Sequence, residues 1–417
     1  MIAQTPPMGW NSWDCFGAAV TEQQVLDNAG LIAKELKAYG WEYVVVDIEW
    51  YQPTASTHEY EPFSELVMDG YGRLQPAENR FPSSAGGRGF APLAEKIHRM
   101  GLKFGIHIMR GLPRMAAHRH LPIEGSEFSC DQAANPNDVC MWNPDMYGLK
   151  CEKKAAEDYY RSLFRMYAAW GVDFVKCDDI AREYPRCARE IELISQARDA
   201  CGREIVLSLS PGPAPLERAE HLKHWANMWR ITDDFWDDWK LLQAMFERAE
   251  KWCTHSGPGH WPDADMLPIG ALRQDYGKEN RTRFTPAEQR TMMTLWCMMS
   301  SPLMIGGHLP ESDSFTLSLL KNEGILKCLK EGCCAHALYR NDTETVWIKP
   351  EINGSGLWLA VFNLSDEENT VDISDCLQVG PVFRQMHELW HQTVTPRTAS
   401  MKVTLESHDA LIWHITP

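Results

Sequence analysis

Eight short apolar runs, most of them separated from the next by an amphipathic stretch, restrict how this chain can fold more than any other feature. The runs cover residues 8–13, 43–50, 103–109, 174–180, 204–210, 228–234, 260–266 and 303–307. Between and after them, residues 22–39, 91–100, 155–170, 181–201, 237–252, 286–299 and 315–329 carry apolar side chains at spacings of three and four, the period of a helix with one buried face. Ala38-Tyr39-Gly40 and Arg99-Met100-Gly101 read as helix stops, each followed by a strand. Alternation of strand and helix calls for parallel strands, and eight such units predict a (β/α)8 TIM barrel, an α/β fold. An open doubly wound sheet is the alternative. No G-x-G-x-x-G follows the first strand, so nucleotide binding has no support.

After about residue 330 the texture changes. HALYRND, TVWIKPE, GLWLAVFNLSD, NTVDIS, FRQMHELW, ASMKVTLES and DALIWHITP read as short strands with turn residues between them. A catalytic barrel over 1–330 and a C-terminal antiparallel β-sandwich over 331–417 are expected, the second packing against the first. Two segments, 51–90 and 111–152, interrupt the barrel pattern after strands two and three, where loops build active sites.

Charge narrows the partners. Lys plus Arg is 41 and Asp plus Glu is 57, a balance of −16. That disfavours nucleic acid and anionic membrane and suits action on neutral molecules. No apolar run reaches the ~20 residues of a membrane span, and the start MIAQTPPMGWNSW lacks the pattern of a signal peptide. The 13 cysteines are scattered; Cys130, Cys140 and Cys151 have no histidine at ligand spacing. Free thiols in a reducing cytoplasm are expected, without a structural metal.

The chemistry gathers at strand ends. Strand two ends VVVDIEW, strand four FVKCDDI, strand six WRITDD and strand seven HWPDADM. One acid at a strand end is ordinarily a cap or turn residue. Four on separate strands of one barrel converge on a single rim, the face where barrels carry their active sites. Side chains two apart share a face, so Lys176 pairs with Asp178 while Asp179 points away, and Arg230 pairs with Asp234 while Asp233 points away. A neighbouring cation keeps a carboxylate ionised, and crowding of several carboxylates keeps one protonated. Two carboxylates in different protonation states are what cleavage of a glycosidic bond requires. Trp, at 17 residues, is abundant; Trp13 and, less directly, Trp50 lie where a ring could stack on a sugar.

The ordered motifs PPMGWNSWDCFG, YVVVDIEW, RFPSS before GLKFGIHI, WGVDFVKCDDI, MWRITDDFWDDW and GPGHWPDADML resemble family 27 of the glycoside hydrolases, the α-galactosidase and melibiase group. The resemblance spans about residues 5–330 and implies a barrel with a β-sandwich, retaining stereochemistry and no metal or organic cofactor. It implies Asp178 as nucleophile and Asp234 as general acid/base. It further implies Asp47 on the O4 and O6 side of the sugar, Lys176 and Arg230 at hydroxyls, Trp13 against the ring, and Asp265 with Met266 at the last rim motif.

The chain departs from the galactosidase pattern in four places. Ile48 stands where a second Asp is usual, His107 where Tyr is usual, and Ser210 where galactosidases carry Glu. Asp179 and Ile180 replace Gly and Cys, so the familiar disulfide there is absent. An unsatisfied buried hydroxyl costs roughly 1–3 kcal/mol, and galactose O6 facing Ile48 would be one. β-L-Arabinopyranose is α-galactose without the exocyclic carbon, and the family has a β-L-arabinopyranosidase branch with Ile at this position. Ile48, His107 and Ser210 thus join the expected substrate contacts. A true α-galactosidase and, through the small Ser210, an α-N-acetylgalactosaminidase stay open as alternatives. So do an inactive sugar-binding barrel and a metal hydrolase built on Asp263 and Asp265. A sugar or glycoside is the expected partner, and a homo-oligomer is open.

Overall fold

The computed structural model describes residues 2–416 except 57–58, 275–276, 278, 353, 379–384 and 397–400. All eight expected runs form strands: β1 Met8–Asn11, β2 Tyr43–Val46, β3 Lys103–Met109, β4 Phe174–Asp178, β5 Val206–Leu209, β6 Met228–Arg230, β7 Trp261–Asp263 and β8 Leu303–Ile305. They are hydrogen-bonded in parallel in the order β7-β6-β5-β4-β3-β2-β1-β8. The ring closes just beyond β7. The Leu267 N–H donates to Met304 O (2.7 Å) and the Gly306 N–H to Leu267 O (2.9 Å), which makes a parallel bridge between Leu267 and Ile305.

Strand parity sorts the barrel into two apolar layers. Tyr43, Val45, Phe174, Val206, Met228 and Trp261 pack together inside. Val44, Val46, Val175, Cys177, Leu207 and Trp229 face outward into the layer between strands and helices. Each inward series turns polar toward the C-terminal end: Asp47 follows Val45, Lys176 and Asp178 follow Phe174, and Arg230 follows Met228.

The helices match their periods with corrections that have local causes. The stretch expected as one helix over 22–39 is an α-helix only over Glu22–Leu31, opened by a capping box between Thr21 and Gln24. It widens over Ile32–Leu36, tightens over Lys37–Tyr39, and ends at Gly40, whose φ of +98° few other residues would adopt. The helix expected from 181 starts only at Ala188, because Pro185 lacks an N–H and holds the preceding residue out of helical conformation. The 315–329 stretch is two helices, Ser314–Leu320 and Glu323–Glu331, and the Asn322 side chain caps the second. A short helix, Ala219–Trp225, was not expected.

The insertion over 111–152 contains an antiparallel sheet of Leu112–Pro113, Met146–Leu149 and Ala134–Val139. Beyond Glu331 lies a six-stranded antiparallel sheet with a two-stranded sheet, Asn369–Asp372 with Lys402–Leu405, on one side. Parity divides its faces too. Trp347, Trp358 and Phe362 join the barrel core, whereas Val346, Ile348 and Leu359 pack with Val371 and Val403. The strand Thr393–Pro396 was not anticipated. No described helix is long and apolar enough to cross a membrane.

Candidate active site

A pocket of roughly 340 Å³ opens at the C-terminal ends of the barrel strands. Five of the expected site residues line it with both carboxylates of the expected pair: Trp13, Asp47, Lys176, Arg230 and Asp265 surround Asp178 and Asp234. Met266 also lines it.

Asp47 forms one anchor. Its Oδ2 accepts from Asn11 Nδ2 (2.6 Å) and Lys176 Nζ (3.0 Å), and its backbone N–H donates to Ser12 Oγ (2.9 Å). Burial would raise its pKa, but Lys176, His107 and the Asn11 amide outweigh that and hold it below the usual carboxylate range. Lys176 is held charged above the ordinary lysine range by Asp47 and Asp178 despite its burial.

Asp178 ends β4. Burial pushes its pKa up, and three groups reverse that: His107 Nε2 at 2.9 Å from Oδ2, the Lys176 ammonium, and the Asp179 N–H at 2.9 Å from Oδ1. The net result is a carboxyl well below its usual range and ionised throughout the physiological window. His107 is fully buried and its Nδ1 has no hydrogen-bond partner, so the tautomer with the proton on Nε2 satisfies the pair.

Asp234 differs in setting. β6 stops at Arg230, and a bend carries the chain round so that Asp234 Oδ1 accepts from Arg230 Nη2 at 3.1 Å with 59% of its side chain exposed. The pairing expected from strand parity is present, but a bend makes it. Arg230 is itself buried and pairs with Asp265 at 2.8 Å. Asp265 holds φ at +81°, rare for a residue with a side chain, which turns its carboxylate to Arg230 and the Phe235 N–H (2.8 Å). Burial, with Asp234 and Asp263 nearby, raises the Asp265 pKa against the pull of Arg230.

The rejected neighbours lie elsewhere. Asp179 pairs with Arg110 (2.9 Å) behind the barrel wall, and Asp233 pairs with Arg182 (3.0 Å) at the surface.

Three expected contacts are not among the residues that line this pocket. Ile48, in the turn that follows β2, is buried among apolar side chains at 1% exposure and is not among the residues lining this pocket. Ser210 lies with Ser208 and Asp263 in a second cavity that shares Lys176, Arg230, Asp265 and Met266 with the pocket, and its Oγ has no hydrogen-bond partner. His107 acts on Asp178 and does not line the pocket. Trp50 is also corrected: it is fully buried, donates its indole N–H to His107 O (2.7 Å), and packs on Phe90 and Trp170.

The structure adds residues that sequence reasoning missed. Asn11 was readable, being in phase with Gly9 on β1. Asp14 sits in the one-turn helix Trp13–Phe16 after β1 and was not. A Cβ on Gly306 would lie 2.1 Å from Asp14 Oδ2, so only glycine leaves room for this carboxylate. Tyr60 enters from the first insertion, and Phe235 and Trp236 follow Asp234. Among the described residues no cluster of His, Cys, Asp and Glu has the makings of a metal site, and all 13 cysteines are unpaired.

The family model described as alpha galactosidase A (Melibiase_2) matches residues 141–330. The chain is 50% identical to a GH27 β-L-arabinopyranosidase of Geobacillus stearothermophilus, with a TM-score of 0.95 and coverage of 100% of this chain and 97% of that one. A variant of that enzyme in complex with arabinose is 49% identical, again with a TM-score of 0.95, over 100% and 98% of the two chains. Alpha-galactosidase 3 of Arabidopsis thaliana is 28% identical over 426 residues, which is 100% of this chain and 83% of the relative.

Proposed function

The chain belongs to glycoside hydrolase family 27, and from that premise we propose that it cleaves terminal β-L-arabinopyranosides with retention of anomeric configuration, accepting α-D-galactosides less well. The observation that carries the reading is the pair of carboxylates in one pocket with opposite settings. Asp178 is buried and kept ionised by His107 and Lys176, while Asp234 is exposed beside Arg230.

The ionised Asp178 attacks the anomeric carbon as Asp234 protonates the leaving oxygen. A glycosyl-enzyme forms, and Asp234 then takes a proton from the water that hydrolyses it. This route uses carboxyl groups ~5–5.5 Å apart, against ~6.5–9.5 Å for inversion. Asp47, Lys176 and Arg230 hold the sugar hydroxyls, Trp13 packs on the ring's apolar face, and Asp265 fixes Arg230. The step needs no metal. Residues 1–330 carry the reaction and 331–417 pack against them, and the unpaired cysteines suit a reducing cytoplasm.

The substrate preference rests on the arabinopyranosidase relatives and on the end of β2, which brings one carboxylate, Asp47, to the pocket. A panel of 4-nitrophenyl glycosides tests the whole reading. The β-L-arabinopyranoside is expected to have the higher kcat/KM, activity survives excess chelator, and Asp178→Ala abolishes turnover. Wild-type rate in Asp178→Ala would remove the nucleophile assignment, and a galactoside preference of about tenfold, some 1.4 kcal/mol, would remove the substrate assignment.

A further inference from the structure

Arg110, the first residue past β3, does not line the pocket, yet it is 2% exposed and meets carboxylates from three separate segments. On the second insertion, Asp138 Oδ1 accepts from its Nη2 (2.7 Å) and Asp138 Oδ2 from its Nη1 (3.0 Å). Nη1 also donates to Glu190 Oε2 (3.2 Å), on the helix that starts at Ala188. Nε donates to Asp179 twice, to the backbone carbonyl (2.7 Å) and to Oδ2 (2.9 Å). Asp179 in turn holds φ at +60° and donates its N–H to Asp178 Oδ1 (2.9 Å).

We propose that Arg110 is a positioning residue for Asp178: its guanidinium clamps Asp179 in the left-handed conformation that keeps the Asp179 N–H aimed at the attacking carboxylate. This rests on Asp178 being the nucleophile, as read above, and assigns the placement of its carboxylate to a side chain outside the pocket.

The backbone angles of a residue are rotations between two peptide planes, and Arg110 holds the planes on both sides of Asp179. The plane before it is tied through the Asp178 carbonyl, which accepts from the Arg110 N–H (3.1 Å). The plane after it is tied through the Asp179 carbonyl, which accepts from Nε. A residue with a side chain keeps a left-handed conformation only where its surroundings impose it. Without the guanidinium the second plane loses this tie, and a turn of Asp179 swings the first plane and takes its N–H off Oδ1. That N–H matters because His107 holds the other oxygen, Oδ2 (2.9 Å). One bond to each oxygen fixes the plane of the carboxylate and so the direction of attack.

The clamp is itself anchored. Arg186 pairs with Asp138 from a second side. Glu190 Oε1 accepts from the Tyr160 hydroxyl (2.5 Å), whose oxygen accepts from the Gly111 N–H (2.8 Å). Arg110 shifts only if these segments shift with it. The planar fork of a guanidinium suits this task, since donors at fixed angles meet Asp138 and Asp179 at once, which a single ammonium cannot do.

The test compares wild type with Arg110→Lys, Arg110→Met and Glu190→Gln, at a temperature where each is fully folded by circular dichroism. It measures Tm, the dissociation constant of the free sugar, and kcat/KM across the acid range. The substrate is whichever of 4-nitrophenyl β-L-arabinopyranoside and α-D-galactopyranoside the wild type cleaves faster. Misplacing a reacting group by ~1 Å costs up to about 100-fold, so both Arg110 variants are expected to lose about tenfold or more in kcat/KM. Their acid limb moves to higher pH, because Asp178 loses an N–H that favours its ionised form. The sugar dissociation constant stays at the wild-type value, since Lys176 keeps Asp47 and Arg230 keeps Asp265. Glu190→Gln takes a charge from the cluster and leaves the bonds to Asp179 in place, so it lowers Tm and spares kcat/KM and the acid limb. If Arg110→Met does not fold, Arg110→Lys, which keeps the charge, carries the test. Wild-type kcat/KM and acid limb in Arg110→Lys overturn the proposal. So does an equal loss in Glu190→Gln, which would tie activity to the stability of the cluster alone. Asp178→Ala, assayed in parallel, judges the nucleophile reading separately: a wild-type rate there removes that reading, while lost turnover there beside unaffected Arg110 variants overturns only the clamp.

Discussion

Replacing His107 by Phe keeps a ring in a fully buried site and removes the donor that lies 2.9 Å from Asp178 Oδ2. The Asp178 side chain is 11% exposed, so water cannot stand in for the lost bond without rearrangement. A hydrogen bond to a charged group contributes about 1.5–3 kcal/mol net, equivalent to ~1–2 pKa units. Lys176 and the Asp179 N–H remain, so Asp178 rises toward the ordinary carboxylate range without leaving its ionised form at neutral pH. Asp178 has a depressed folded pKa, so its ionised form adds stability above the unfolded pKa, and that stability is lost as pH falls through the folded pKa. His107→Phe should therefore lose roughly 1.5–3 kcal/mol in urea unfolding at pH 7, with the deficit shrinking toward low pH. In catalysis the acid limb of kcat/KM should move to higher pH by ~1–2 units, read with the nitrophenyl arabinopyranoside across the acid range. A folded variant whose acid limb and low-pH stability both track wild type would refute the reasoning, because His107 would then be packing alone.

Two further substitutions test the neighbours of Asp47. Burial pushes Glu49 up to about 7 from 4.5, despite the Asn143 amide, so the folded state holds a proton that the unfolded chain releases between those values. Stability should fall as pH rises from 4.5 to 7, by up to about 3 kcal/mol, and Glu49→Gln should flatten that slope; equal slopes in urea unfolding would contradict the assignment. Ile48→Asp puts a carboxylate into an apolar layer at 1% exposure and should lower stability by about 3 kcal/mol or more, seen as a depressed Tm; an unchanged Tm would mean the side chain reaches the polar pocket instead.

Most of the barrel was legible because one rule governs it. A strand with both faces buried alternates between barrel interior and helix layer, so the inward phase that contains Val45 also delivers Asp47, and the phase of Phe174 delivers Lys176 and Asp178. The rule does not reach Ile48, because β2 ends at Val46 and Ile48 lies in the turn that follows. Local rules do not reach Tyr60 or the closure at Leu267. Both depend on contacts between segments far apart in sequence, Tyr60 with Trp142 and Leu267 with Ile305, and no local pattern encodes them.

Asp234 was selected by a strand rule that does not apply to it, since β6 ends at Arg230. Its contact with Arg230 survives because both a strand and the observed bend can return a residue four positions on to the same cation. The distinction has a chemical consequence. A group at the end of a hydrogen-bonded strand is fixed, as Asp178 is between His107 and its own following N–H. A group on a bend past the strand end, 59% exposed, can meet water and a leaving group of variable shape. Attack on one carbon demands the first setting, and proton exchange with leaving group and water in turn demands the second. The backbone thus divides the two proposed roles between the carboxylates before any substrate is bound.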